Sequence, residues 1–197
     1  MAFNRGIICV CFMVILPVWG RSQVFTDKLK QFISSTAFTS SGLQYENEVR
    51  AFYNNNGFRY SWFSKQNSDL SLLVNYIQHS PDLGLKPEDY QPALFGSYAT
   101  GVYSPAVEQD SLQAEIRFTD AAIHLLHDVL MGNHAELLSY NGLDYQPSCY
   151  DIPAILNTYL GAGRFSVLLN EQESKQPEYL AVKNKLNLFH EPNVISL

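Results

Sequence analysis

The feature that most constrains this chain is one uninterrupted amphipathic run from Glu108 to Met131. Leu112, Ile116, Thr119, Ala122, Ile123, Leu126, Val129 and Leu130 recur at three- and four-residue steps, the spacing of one face of an α-helix. About 23 residues rising 1.5 Å each span about 34 Å, long enough to organise a small domain. Gly132 or Asn133 ends the run. An axis of this length with one apolar stripe demands other helices to cover it.

The rest of the chain supplies them. Glu46 to Asn55 puts Val49, Phe52 and Tyr53 on one face, with two acids in the first turn and Gly57 as the stop. Leu70, Leu73, Val74 and Ile77 line a second helix, capped by Asn67 or Ser68 and ended by Ser80-Pro81. Pro87 suits the first turn of another, with Glu88 and Asp89 at its positive end. Residues 96–107, with Gly96, Gly101 and Pro105, read as a loop, as do residues 139–150. Asp151-Ile152-Pro153 is a capped start for Ile155, Leu156, Tyr159 and Leu160, broken by Gly161 and Gly163. Arg164 to Asn170 reads as a short helix or strand, and Pro177 opens a last helix that ends before Pro192. No alternating strand of five or more residues stands out. The predicted fold class is therefore all-α, a compact multi-helix bundle around one long central helix.

The N-terminus predicts export. Arg5 precedes an apolar run, Ile7 to Leu16, too short to span a bilayer. Small or modest side chains at Val18 and Gly20 fit a cut after Gly20, and a cut after Gln23 also fits, so residues 1–23 read as a signal peptide. Cys9 and Cys11 lie inside its apolar run. Losing Arg5 and Arg21 from 13 basic residues leaves 11 against 19 acidic, a net charge of −8. Without a basic block the chain lacks the electrostatic footprint of a nucleic-acid binder, and no later segment is apolar enough to hold a membrane. Residues 24–44, rich in Ser and Thr, read as a loose lead-in in which Phe32-Ile33 docks locally. Residues 45–190 form the helical domain, and 191–197 a C-terminal tail.

The residues that carry chemistry are scattered. Cys149 precedes a helix start, where a thiolate is favoured, but its string Gln146-Pro147-Ser148-Cys149-Tyr150 holds no histidine, so it reads as a small packing thiol. Asp120, His124 and Asp128 share a helical face at four-residue steps, with His127 beside them. That spacing can bind a metal, which makes a metal-dependent hydrolase one reading; their apolar neighbours make core-edge residues the other. His79, His134 and His190 sit near element ends. Glu46/Glu48, Glu88/Asp89 and Glu171/Glu173 sit in first turns or loops, where acids stabilise helix N-termini. On residues alone, no catalytic, cofactor or metal site is assigned.

Four strings, in order, resemble the scaffold domain of long YcbB-type L,D-transpeptidases, enzymes that cross-link murein. They are Val49-Arg50-Ala51-Phe52-Tyr53 with Gly57 and Trp62-Phe63; Gly84-Leu85-x-Pro87-Glu88-Asp89-Tyr90; Phe118-Thr119-Asp120-Ala121-Ala122 with Leu130-x-Gly132; and Gln176-Pro177-x-Tyr179-Leu180 with Lys185-Leu186. The stretch Asn133-His134-Ala135-Glu136 departs from the pattern, lacking its proline-containing turn. The resemblance implies a periplasmic helical domain. Its relatives carry the nucleophilic cysteine in a separate catalytic domain, within a Ser-His-Gly-Cys-type motif that this sequence does not contain, and Cys149 does not match it. No family functional residue therefore transfers; Tyr53, Trp62, Tyr90 and Tyr179 match the pattern and read as packing residues. The expectation is a non-catalytic scaffold in peptidoglycan cross-linking or remodelling, needing no cofactor, whose partner is peptidoglycan or a catalytic transpeptidase domain. The alternative is a module that itself binds peptidoglycan through exposed Tyr and Asn of the loops at 53–63 and 139–150.

Overall fold

The computed structural model describes residues 20–63, 69–99, 108–132 and 150–190. Among them every regular element is helical and none is a strand. The central axis, α6, runs Glu108–Met131. Before it come α1 (Gly20–Ile33), α2 (Thr36–Thr39), α3 (Glu46–Asn56), α4 (Asp69–Gln78) and α5 (Pro92–Ala99); after it come α7 (Ile152–Gly161), α8 (Leu168–Gln172) and α9 (Pro177–His190). Single 3-10 turns stand at Ser80–Leu83, Pro87–Asp89 and Phe165–Val167.

The predicted periodicities fold as expected where they were strongest. In α3 the face Val49, Phe52, Tyr53 is buried, and Gly57 closes the helix in the left-handed conformation (φ 69°), its N–H bonded to the Tyr53 carbonyl. In α4 the line Leu70, Leu73, Val74, Ile77 is buried. Asp151 caps α7, accepting the Ala154 N–H at 3.0 Å. The stretch after Arg164, open between helix and strand, is the 3-10 turn followed by α8.

α3 packs broadly on α7, and both lie on α6, as do α4 and α8. An aromatic layer fills the gaps. Phe118 of α6 has Phe95 edge-on at 5.1 Å, with Phe63 and Tyr98 within 6 Å, and Trp62 meets Phe165 edge-on at 5.5 Å. α9 lies against the Ser80–Leu83 turn, where the Leu186 methyl reaches within 3.5 Å of the place a side chain on Gly84 would occupy.

Three expectations are corrected. The lead-in at 24–44 is not loose: α1 and α2 bury Leu29, Ile33 and Phe38 completely or nearly so. Each such side chain contributes about 2 kcal/mol of burial. Arg50 of α3 fastens the segment, donating to the Ile33 carbonyl and lying 4.7 Å over the Phe38 ring. Pro87 opens only one 3-10 turn; the helix begins at Pro92 and continues through Gly96 to Ala99, inside the stretch read as loop. And α6 is buried well beyond a stripe, since Glu115, Phe118, Asp120, Ala121, His124, Leu125 and Asp128 join the apolar residues in the core.

Residues up to 19 of the expected signal peptide, the expected cap at Asn67 or Ser68, Gly101, Pro105, His134, the loop up to Cys149 and the tail at 191–197 lie outside the described residues. None of the described helices is long and apolar enough to cross a membrane.

Candidate functional site

The polar residues of α6 converge on two backbone segments. On one side stands Glu115, a carboxylate enclosed in the core. It accepts the backbone N–H groups of Ser61, Trp62 (3.1 Å) and Phe63 (3.2 Å), and the Tyr53 hydroxyl at 3.2 Å. One turn on, Thr119 Oγ1 gathers the Trp62 indole N–H at 2.9 Å, pairs with the Tyr53 hydroxyl at 2.6 Å and donates to the Glu115 carbonyl at 3.0 Å. Burial pushes the Glu115 carboxyl up to about 7, outweighing the donors that favour its charged form. Burial likewise pushes the Tyr53 hydroxyl well above its ordinary range.

On the other side Asp120 takes the Tyr45 N–H at 2.8 Å on one oxygen and the Gln44 N–H at 3.2 Å on the other, pinning the chain as it enters α3. Burial raises this carboxyl above its usual range despite those bonds. His124 Nε2 stands 3.4 Å from Asp128 Oδ2, which also accepts the buried Tyr90 hydroxyl at 2.5 Å. Burial, then the bond to Asp128, drives the Tyr90 hydroxyl far up. His127 Nε2 pairs with Glu48 Oε1 at 2.7 Å, and its ring stacks on Tyr45, centroids 4.2 Å apart and planes 12° from parallel. Among the described residues Glu48 Oε2 is buried without a hydrogen-bond partner.

The sequence-predicted cluster Asp120, His124, His127, Asp128 is thus brought together, but around it stand Gln44, Tyr45, Glu48 and Tyr90, which spacing along one helix does not reveal. Both Asp120 oxygens are spent on backbone N–H groups, and among the described residues no group of three or more His, Cys, Asp or Glu side chains is arranged around a metal. What the arrangement does chemically is clamp: one helix holds the 44–45 and 61–63 segments and Tyr90 by charge-assisted bonds in a low-dielectric interior. His79, by contrast, stays exposed, its ring nitrogen 2.9 Å from the Asn75 carbonyl.

Of the paired acids, Glu46 joins Arg50 at 2.9 Å, while Glu171 accepts from Tyr159 at 2.6 Å and from Arg164 at 2.5 Å. Those donors hold the Glu171 carboxyl below its usual range. Burial would raise Glu173, yet the donors Lys183 and Tyr179 outweigh it and hold that carboxyl low. The packing residues of the resemblance do pack: Tyr53, Trp62 and Tyr90 are buried, and Tyr179 reaches Glu173 at 2.7 Å. Tyr53 is therefore not an exposed sugar-stacking ring. Cys149 lies outside the described residues.

A second feature is open to solvent. A groove of about 310 Å³ between the end of α3, the turn after it and the end of α7 is lined by Asn55, Asn56, Arg59, Tyr60, Ser61, Asn157, Leu160 and Gly161. Asn157 entered none of the sequence motifs; three consecutive asparagines at 54–56 were the only local signal.

Compared with known proteins, the chain matches a family described as Scaffold domain over residues 47–186. No curated protein and no solved structure matches it.

Proposed function

The chain belongs to the Scaffold-domain family, in keeping with the scaffold domain of L,D-transpeptidase-type proteins, and from that premise we propose that it is a non-catalytic platform in peptidoglycan cross-linking or remodelling. It works in the periplasm, docking a catalytic transpeptidase domain. The observation that carries this reading is the use made of α6: its buried acids are bonded to neighbouring segments, His127 to Glu48, and His124 lies against Gln44, Tyr45 and Tyr90. A rigid frame is what a docking partner needs. The last helix supports the reading too, since α9 leaves Val182 67% and Leu188 58% exposed, apolar surface that a bound domain would cover.

The test has two arms. Purified protein incubated with stem tetrapeptides leaves them unlinked, read by mass spectrometry. Mixed with a separately produced L,D-transpeptidase catalytic domain, it forms a complex seen by size-exclusion chromatography and calorimetry. Val182→Asp and Leu188→Asp, both at exposed positions, weaken that complex at least tenfold while changing stability by less than about 0.5 kcal/mol. Cross-linked product from the protein alone, or no complex with the catalytic domain, overturns the proposal.

A further inference from the structure

The groove between α3 and α7 has a chemistry distinct from the clamp. Among the described residues, three side-chain amides and one guanidinium dominate its polar walls. The loop residues are fixed in place before any ligand arrives. Asn56 Nδ2 donates to the Arg59 carbonyl at 3.1 Å and to Ser61 Oγ at 3.3 Å, its Oδ1 accepts the Arg59 N–H at 3.1 Å, and Arg59 Nε donates to the Asn56 carbonyl at 2.8 Å. Across the groove Asn157 Nδ2 is anchored on the Phe52 carbonyl at 3.0 Å. Among the described residues these bonds leave the terminal nitrogens of Arg59, Oδ1 of Asn157 and the whole amide of exposed Asn55 for a visitor. Arg59 and Asn157 are held at their bases while their tips stay unspent, which lowers the ordering cost of binding.

The lining selects among ligand classes. Among the described residues it holds no carboxylate, so it does not fit a cation. One guanidinium is too little positive charge for a polyphosphate strand. Leu160 is the only aliphatic wall among the described residues, which offers no pocket for the side chains of a peptide. Planar amide and guanidinium groups, presenting donors and acceptors side by side, match hydroxyls, each of which donates one hydrogen bond and accepts others. Tyr60, half-buried and in edge-to-face contact with Phe25 at 5.8 Å, adds an aromatic ring, whose π face suits the C–H face of a sugar. A volume of about 310 Å³ sits at the small end of ligand sites, room for one or two rings.

We infer that the groove formed by Asn55, Asn56, Arg59, Tyr60 and Asn157 is a saccharide-binding site that takes one or two sugar units of a glycan strand. The inference deepens the cell-wall reading above and rests on it for the source of the glycan. Gly161 supplies a clean probe. A Cβ there would meet nothing within 4 Å and the backbone is not left-handed, so Gly161→Trp can be introduced at the groove wall without backbone strain to crowd the opening.

The experiment is a titration of the ¹⁵N-labelled protein with tetra-N-acetylchitotetraose, followed by NMR, with cellotetraose as the sugar lacking acetamido groups and a stem tetrapeptide as the competing class. Saturable shifts are expected at the side-chain amides of Asn55 and Asn157 and the backbone amides of 55–61. Asn55→Ala weakens binding at least threefold, and Gly161→Trp at least tenfold. Asn55 is exposed, so its variant carries the test if Gly161→Trp does not fold. Response to both sugars or to the chito-oligosaccharide alone supports the site. No shifts at 10 mM sugar, shifts elsewhere, shifts indifferent to both substitutions, or binding of the tetrapeptide instead overturns it. Docking of a catalytic domain is read separately, so a failed titration leaves that result standing and the reverse.

Discussion

Glu115→Ala lowers the unfolding free energy by about 4 kcal/mol, the largest effect expected of any single polar substitution in the chain. The side chain is fully buried, and its removal strips the acceptor from three consecutive backbone N–H groups, at Ser61, Trp62 and Phe63, and from the Tyr53 hydroxyl. A buried donor left unpaired costs about 1–3 kcal/mol, and partial relaxation keeps the total below the sum. At about 2–4 °C per kcal/mol for a chain of this size, the thermal midpoint falls by about 8–16 °C. Glu115→Gln keeps an acceptor but sets an NH₂ among donors, so it costs less than alanine. Urea unfolding of the three proteins checks the order wild type, Gln, Ala. A loss under about 1 kcal/mol for alanine would mean that the 61–63 segment is held by something else.

The second large effect is in pH. The Glu115 carboxyl titrates near 4.5 in the unfolded chain and at about 7 when folded. Between those values the folded state binds more protons than the unfolded one, so stability falls as pH rises. The Glu115 contribution is fully present below about pH 4.5 and is lost through pH 7, at most about 3 kcal/mol. Asp120, also raised by burial, acts with the same sign from a lower starting point; Glu173, held low, acts with the opposite sign. Comparing wild type with Glu115→Gln cancels both. The advantage of wild type over the variant therefore shrinks steadily between pH 4.5 and 7.5 in urea titrations. A constant advantage, or one that grows with pH, contradicts the assignment.

Much of the frame was legible because it is local. The boundaries of α6, the buried face of α3, the line of α4 and the cap at Asp151 all follow from spacing and end residues within a few positions. What was not legible depends on partners far along the chain. Glu115 lies between Ala114 and Ile116 and enters no motif of the sequence; its meaning comes from Ser61 to Phe63, more than fifty residues earlier. The four-residue steps from Asp120 to Asp128 were visible and raised a metal site, while the Gln44 and Tyr45 N–H groups that occupy Asp120 were not. In the lead-in, Leu29 and Ile33 stand one turn apart, a helical signal masked by the Ser/Thr-rich sequence after it. Gly96 argued for a loop, yet the helix begun at Pro92 runs through it, with Phe95 packed on Phe118. Only half of the groove was visible, because Asn157 meets Asn55 and Asn56 through the packing of α7 on α3.

In α6 the buried carboxylates of Glu115 and Asp120 are spent on the backbone of two distant segments, which makes the domain a single frame. Native-state hydrogen exchange measures this directly at the amides of Gln44, Tyr45, Trp62 and Phe63. All four are expected to exchange only through global unfolding, with free energies matching those of the α6 core, although they lie outside regular helix. Exchange at these amides as fast as at exposed loop positions, with α6 itself still protected, would contradict it.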